Sequence, residues 1–148
     1  GWYDYASGGN SLLVTRGDNG FDPNFPLAHK YNGFMDLFGR RNLNDVNLQF
    51  ISPLGSKANV MLWYHYFFLD QATTPYSITM VPFNPANKAG SRDLGNELDL
   101  LTTINMDARN SLLLGYSFFI AGKYYDTTPG VPTNANADFF YAQYQTRF

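Results

Sequence analysis

Residues 42–70 read "NLNDVNLQFISPLGSKANVMLWYHYFFLD", two alternating runs joined by a short reversal. In its first part Val46, Leu48 and Phe50 alternate with Asp45, Asn47 and Gln49, the period-two pattern of a strand with one apolar face. "PLGSK" then supplies the Pro and Gly of a tight reversal. The second run sets Val60, Leu62, Tyr64, Tyr66 and Phe68 on one face and Asn59, Met61, Trp63, His65 and Phe67 on the other. The unit is a hairpin of two strands, each longer than the ~5–6 residues usual in soluble sheets.

The same unit recurs further along. "DLGNELDLLTTINM" (93–106) sets Leu94, Leu98, Leu100, Ile104 and Met106 against Glu97, Asp99, Thr103 and Asn105. "DAR" makes a minimal turn into "NSLLLGYSFFIAG" (110–122), with Leu112, Leu114, Tyr116, Phe118 and Ile120 on one side. A strand is already running in "GWYDY" at the start, and "ADFFYAQYQTRF" (137–148) alternates to the last residue. Three long polar segments, roughly residues 7–41, 71–92 and 123–136, separate these units. Within the first, "YNGFMDLFGRR" (31–41) reads as a short helix or a packed loop.

Long and short connections therefore alternate strictly. That is the pattern of an outer-membrane barrel, whose extracellular loops are long and whose periplasmic turns are short. Soluble sandwiches and lipocalin-like barrels give no reason for such one-sided loop lengths. The expected fold is all-β: an antiparallel transmembrane β-barrel segment, residues 1–148 forming a single domain. If the short turns are periplasmic, the last strand ends at the periplasmic rim. Tyr5, Tyr64, Tyr66, Tyr116, Phe68, Phe118 and Phe140 are then candidates for the aromatic girdles at the two interfaces.

Composition agrees. The 148 residues are 18% aromatic, with 13 Phe and 11 Tyr, and only 15% charged, against ~25% in an average domain. Net charge is −2 and no basic run occurs, which argues against a nucleic-acid partner. Cysteine is absent, which excludes disulfides and thiol chemistry. No stretch reaches the ~20 apolar residues of a membrane-spanning helix, so only strands can cross a bilayer. Six strands cannot close a membrane barrel, whose smallest examples have about eight. The chain opens without Met or a signal peptide, and an N-terminal continuation supplying further strands is expected.

At "LAHKYNGFMDLFGRRNLNDVNLQF" (27–50) the sequence resembles the outer-membrane alginate export family. The family pattern of a glycine, an Asp-Leu pair, a second glycine and an Asn before a strand falls on Gly33, Asp36, Leu37, Gly39 and Asn42. "YDYASG", "YHYFFLD", "GNELDL", "GYSFF" and the terminal "ADFFYAQYQTRF" follow in the same order. The resemblance implies a barrel of about eighteen strands, of which this chain is the C-terminal part. It also implies a passive outer-membrane channel that carries a polar solute, including an anionic polysaccharide, and is not an enzyme. The first long loop of that family folds toward the channel, bringing Arg40 and Arg41 to the entrance.

The candidate pore-lining or gating residues are Asp45, Glu97, Asp99, Arg40, Arg41 and Arg147. A lumen built for a polyanion needs fixed cations, yet the charged strand residues facing inward are Asp45, Glu97 and Asp99, with only Arg147 near the end. Glu97 and Asp99 share a strand face; an acid/base pair is the sharper reading, a solvated or hydrogen-bonded lumenal pair the commoner one. Arg40 and Arg41 either line the entrance or pair with Asp36 or Asp45. A hydrolase would need His65 or His29 beside a nucleophile, and no local motif supplies one; a barrel that only anchors envelope partners is the other alternative. Asp18, Asn19 and Asp22 in "RGDNGFD" are oxygen ligands for a surface calcium ion, though without the spacing of an EF-hand loop. Phe148, Tyr144 and Phe140 resemble the terminal signal read by the outer-membrane insertion machinery. Outer-membrane lipid, that machinery and a polar or carbohydrate solute are the expected partners.

Overall fold

The computed structural model describes residues 1–9, 19–24 and 31–148. Six strands, β1 (Trp2–Ala6), β2 (Leu43–Leu54), β3 (Ala58–Phe68), β4 (Asp93–Asn105), β5 (Asn110–Ala121) and β6 (Ala137–Thr146), form one sheet in the order β1-β2-β3-β4-β5-β6. Every neighbouring pair is antiparallel. One short helix, α1 (Lys123–Thr127), stands in the third long connection. Residues 31–41, read from sequence as a helix or a packed loop, are a packed loop of turns and bends.

Two rows of cross-strand neighbours explain the sheet. Phe50, Leu62, Leu100, Tyr116 and Phe140 lie side by side across β2 to β6, and all are exposed. Asn47, His65, Glu97 and Phe119 lie side by side on the opposite face of β2 to β5, and all are buried. A sheet that shows large apolar side chains outward and buries Asn, His and Glu inverts the usual soluble distribution. It suits a wall with hydrocarbon on one side and a polar interior on the other. β2 to β6 have 10 to 13 residues each, enough for a tilted crossing.

The short turns carry the expected chemistry. Gly55 takes φ +70° at the reversal between β2 and β3, a conformation that a side chain would strain. Between β4 and β5 the Asp107 carboxylate accepts the amides of Arg109 (2.8 Å) and Asn110 (2.9 Å) and the Asn110 side chain (2.7 Å). These bonds close the turn from within.

One expected face is wrong. Leu94 does not join Leu98 and Leu100 on the outer side; it is fully buried. Phe67 opposes Gly95 and Phe68 opposes Asp93, so Leu94 is the extra residue of a β-bulge. Gly95 at φ +125° makes the bulge possible and turns Leu94 inward.

At the long-connection end, Leu94 joins Phe38, Leu43, Phe67, Leu69, Phe119 and Tyr124 in an apolar cluster. Phe38 is its centre, edge-to-face with Phe67 (5.2 Å) and Phe119 (5.8 Å). Such pairs contribute ~0.5–1.5 kcal/mol each beyond burial. The cluster fastens residues 31–42 against the inner face of the sheet.

Candidate functional site

Residues 31–42 form a strap across the inner face, and its shape follows from a few backbone positions. Gly33 takes φ +83°, and a Cβ there would stand 2.4 Å from Glu97 Oε1. Only glycine lets the backbone approach the carboxylate so closely. The next two amides point at the wall: Phe34 N–H donates to Asp99 Oδ2 (3.3 Å) and Met35 N–H to Glu97 Oε1 (2.9 Å). Asp36 and Asn42 both take φ +53°, a region that Asp and Asn enter more readily than other side-chain-bearing residues.

Asn42 closes the strap. Its Nδ2 donates to Gln71 O (3.1 Å), Thr73 Oγ1 (2.9 Å) and Thr74 O (3.0 Å), while its Oδ1 accepts from Gln71 N (2.7 Å). This buried amide thereby staples the strap to the second long connection. Gly39 adds a further stitch: its N–H donates to Tyr76 O (2.8 Å), and a Cβ would meet Ser77 O at 2.2 Å.

Under the strap lies a buried polar chain. Trp63 Nε1 donates to Asn47 Oδ1 (3.2 Å) and Asn47 Nδ2 to Asp45 Oδ2 (3.1 Å). His65 Nδ1 lies 2.8 Å from Asp45 Oδ2, and His65 Nε2 lies 3.8 Å from Asp99 Oδ2. Ser117 Oγ donates to Asp99 Oδ1. His65 is held between the rings of Trp63 (4.4 Å) and Phe67 (5.3 Å, stacked). Among the described residues its Nε2 has no hydrogen-bond partner.

The structure thus brings Asp45, Glu97 and Asp99 together with His65, all fully buried beneath the strap. Arg40 leaves this cluster and pairs with Asp4 of β1 at 2.7 Å, its guanidinium over Tyr31 (5.4 Å) and Phe21 (5.8 Å). Arg41 is buried, donates to the carbonyls of Gly20 (3.4 Å) and Phe21 (3.1 Å), and sits over Tyr76 (5.1 Å). Arg147 stands at the opposite, short-turn end, where its amide donates to Arg109 O (2.9 Å). Phe140, Tyr144 and Phe148 are exposed. Asp18 and His29 lie outside the described residues; Asn19 and Asp22 do not, and among the described residues no group of three or more His, Asp or Glu is arranged to hold a metal ion.

Sequence reasoning missed three contributors. Ser117 and Asn47 carried no signal beyond their inward parity. Phe38 carried none, since nothing local distinguishes a loop aromatic that packs from one that does not.

The family model described as alginate export matches residues 2–138. No curated protein sequence matches the chain at a significant level. The match takes in all five motif positions, and the structure gives a physical reason for Gly33, Asp36, Gly39 and Asn42. Leu37 packs against the apolar cluster.

Proposed function

The chain belongs to the alginate export family, an outer-membrane transport family, and from that premise we propose that its sheet is part of the wall of an export channel. Residues 31–42 are the element that narrows the lumen. The observation that carries this reading is the pair of strap amides, Phe34 and Met35, donating to the inward carboxylates Asp99 and Glu97. Asp45, Glu97 and Asp99 then act by holding the strap rather than by touching solute. Arg40 and Arg41, at the end of the strap, set the charge and position of the entrance. The solute is polar, and an anionic polysaccharide fits the family; its fixed cations come from outside the buried cluster.

In this reading the short turns, Arg147 and Phe148 face the periplasm, and the long connections face outward. Phe140, Tyr144 and Phe148 form the terminal signal for the insertion machinery. A hydrolase is disfavoured because, among the described residues, no hydroxyl is bonded to His65 Nε2. The test is single-channel recording of the full-length protein in planar bilayers, with its anion-to-cation preference. Conductance with anion preference supports export of an anionic polymer; cation preference removes that solute, and absence of current removes the channel in favour of an anchoring barrel.

A further inference from the structure

A cavity of ≈300 Å³ opens among the three long connections, walled by Leu37 and Phe38 of the strap, Phe83 of the second connection, and Tyr125, Val131 and Pro132 of the third. Among the described residues no charged side chain lines it. Phe38 is buried at its floor, whereas Phe83 and Pro132 are exposed at its rim. Tyr124 completes the wall, and burial pushes the hydroxyls of Tyr124 and Tyr125 up from their ordinary range, so both stay neutral. The rings do not stack on one another: Phe38 and Phe83 are tilted at 56° and Tyr124 and Tyr125 stand at 89°. Phe83, exposed at the rim, leaves ring surface open to take another ring in the edge-to-face manner that aromatic groups prefer.

We infer that this cavity is a binding site for one small, uncharged ring compound, aromatic or alicyclic. Size sets the limit: an apolar cavity of ~150 Å³ holds a single benzene, so this one takes a substituted ring or two fused rings. Its volume lies at the lower end of the ~300–1,000 Å³ of ligand pockets, which are likewise mostly apolar. A bound ring touches all three connections at once and ties the strap to them. The site stands whether or not the sheet conducts.

The test is photolabelling of the full-length protein in neutral detergent with 3-trifluoromethyl-3-phenyldiazirine, mapped by peptide mass spectrometry, with benzyl alcohol as competitor. Peptides holding Phe83 and residues 124–132 are expected to label saturably and to lose at least tenfold of that label to competitor. Peptides of the outer face, such as Leu98–Leu100, should label in proportion to probe. Val131→Trp, which fills the cavity, should abolish the saturable label; heat-modifiable gel mobility reports whether it folds. Phe83→Ala, which removes the rim, should weaken saturable labelling at least tenfold and decides the matter if Val131→Trp does not fold. Labelling of residues 83 and 124–132 that never saturates, or that survives in folded Val131→Trp or in Phe83→Ala, overturns the inference.

Discussion

Met35 N–H donates to Glu97 Oε1 at 2.9 Å across 62 positions of sequence. A backbone amide of a loop is thus fixed by a carboxylate of a strand, and the carboxylate is buried by the loop it holds.

Glu97→Ala should loosen the strap. A buried donor left without its acceptor costs about 1–3 kcal/mol, so amide exchange at Met35 should accelerate about fivefold or more. Glu97→Gln keeps an acceptor oxygen and should have a smaller effect. Exchange at Met35 that is unchanged in Glu97→Ala would show that the apolar cluster alone holds the strap.

Gly33→Ala should act through the same contact. The left-handed backbone costs a side-chain-bearing residue about 1–2 kcal/mol, and the new Cβ would stand 2.4 Å from Glu97 Oε1. The second part of this effect should vanish when Glu97 is already Ala. Stability measured by urea titration of the refolded protein should therefore give a coupling of at least about 0.5 kcal/mol between the two sites; additive losses contradict the contact.

Much of the wall was legible in the sequence because its code is local. Val46, Leu48 and Phe50 declare their face by parity, and Glu97 and Asp99 declare that they share one. Leu94 broke parity because a bulge inserts one residue against the partner strand, and only Gly95 hints at it. The partners of Glu97 and Asp99 were illegible for another reason. They are backbone amides, which carry no residue signature. Arg40 illustrates the same limit at long range: its carboxylate is Asp4, 36 positions away, where sequence offered Asp36 and Asp45 nearby.

Asn42→Ala removes one acceptor and three donor contacts and places Ala at φ +53°. At roughly 0.5–1.5 kcal/mol per bond, with the cost of unpaired buried groups added, the loss should be about 2–4 kcal/mol. Asn42→Gly relieves the backbone but not the staple and should recover only a part. Limited proteolysis should cut residues 71–74 faster in both variants; equal cutting in wild type would mean that the second connection does not depend on Asn42.

Acid should open the turn between β4 and β5. The Asn110 side chain first, then the Arg109 amide, hold the Asp107 carboxyl below its ordinary value of 3.8. A depressed value means that the ionised form stabilises the folded turn. That contribution is complete above pH 3.8 and is lost as pH falls through the lower folded value. Carboxyl-carbon NMR of Asp107 should titrate with a midpoint below 3.8, and Asp107→Asn should remove this pH dependence; a midpoint at or above 3.8 contradicts the turn's hydrogen bonds.

A strap that narrows the lumen should limit the current through it. The most direct measurement is the unitary conductance of the full-length protein with residues 32–38 replaced by a Gly-Ser linker of equal length, compared with wild type in planar bilayers. Conductance should be at least about twofold larger in the replaced protein. Equal conductance in the two, with both correctly folded, would contradict it.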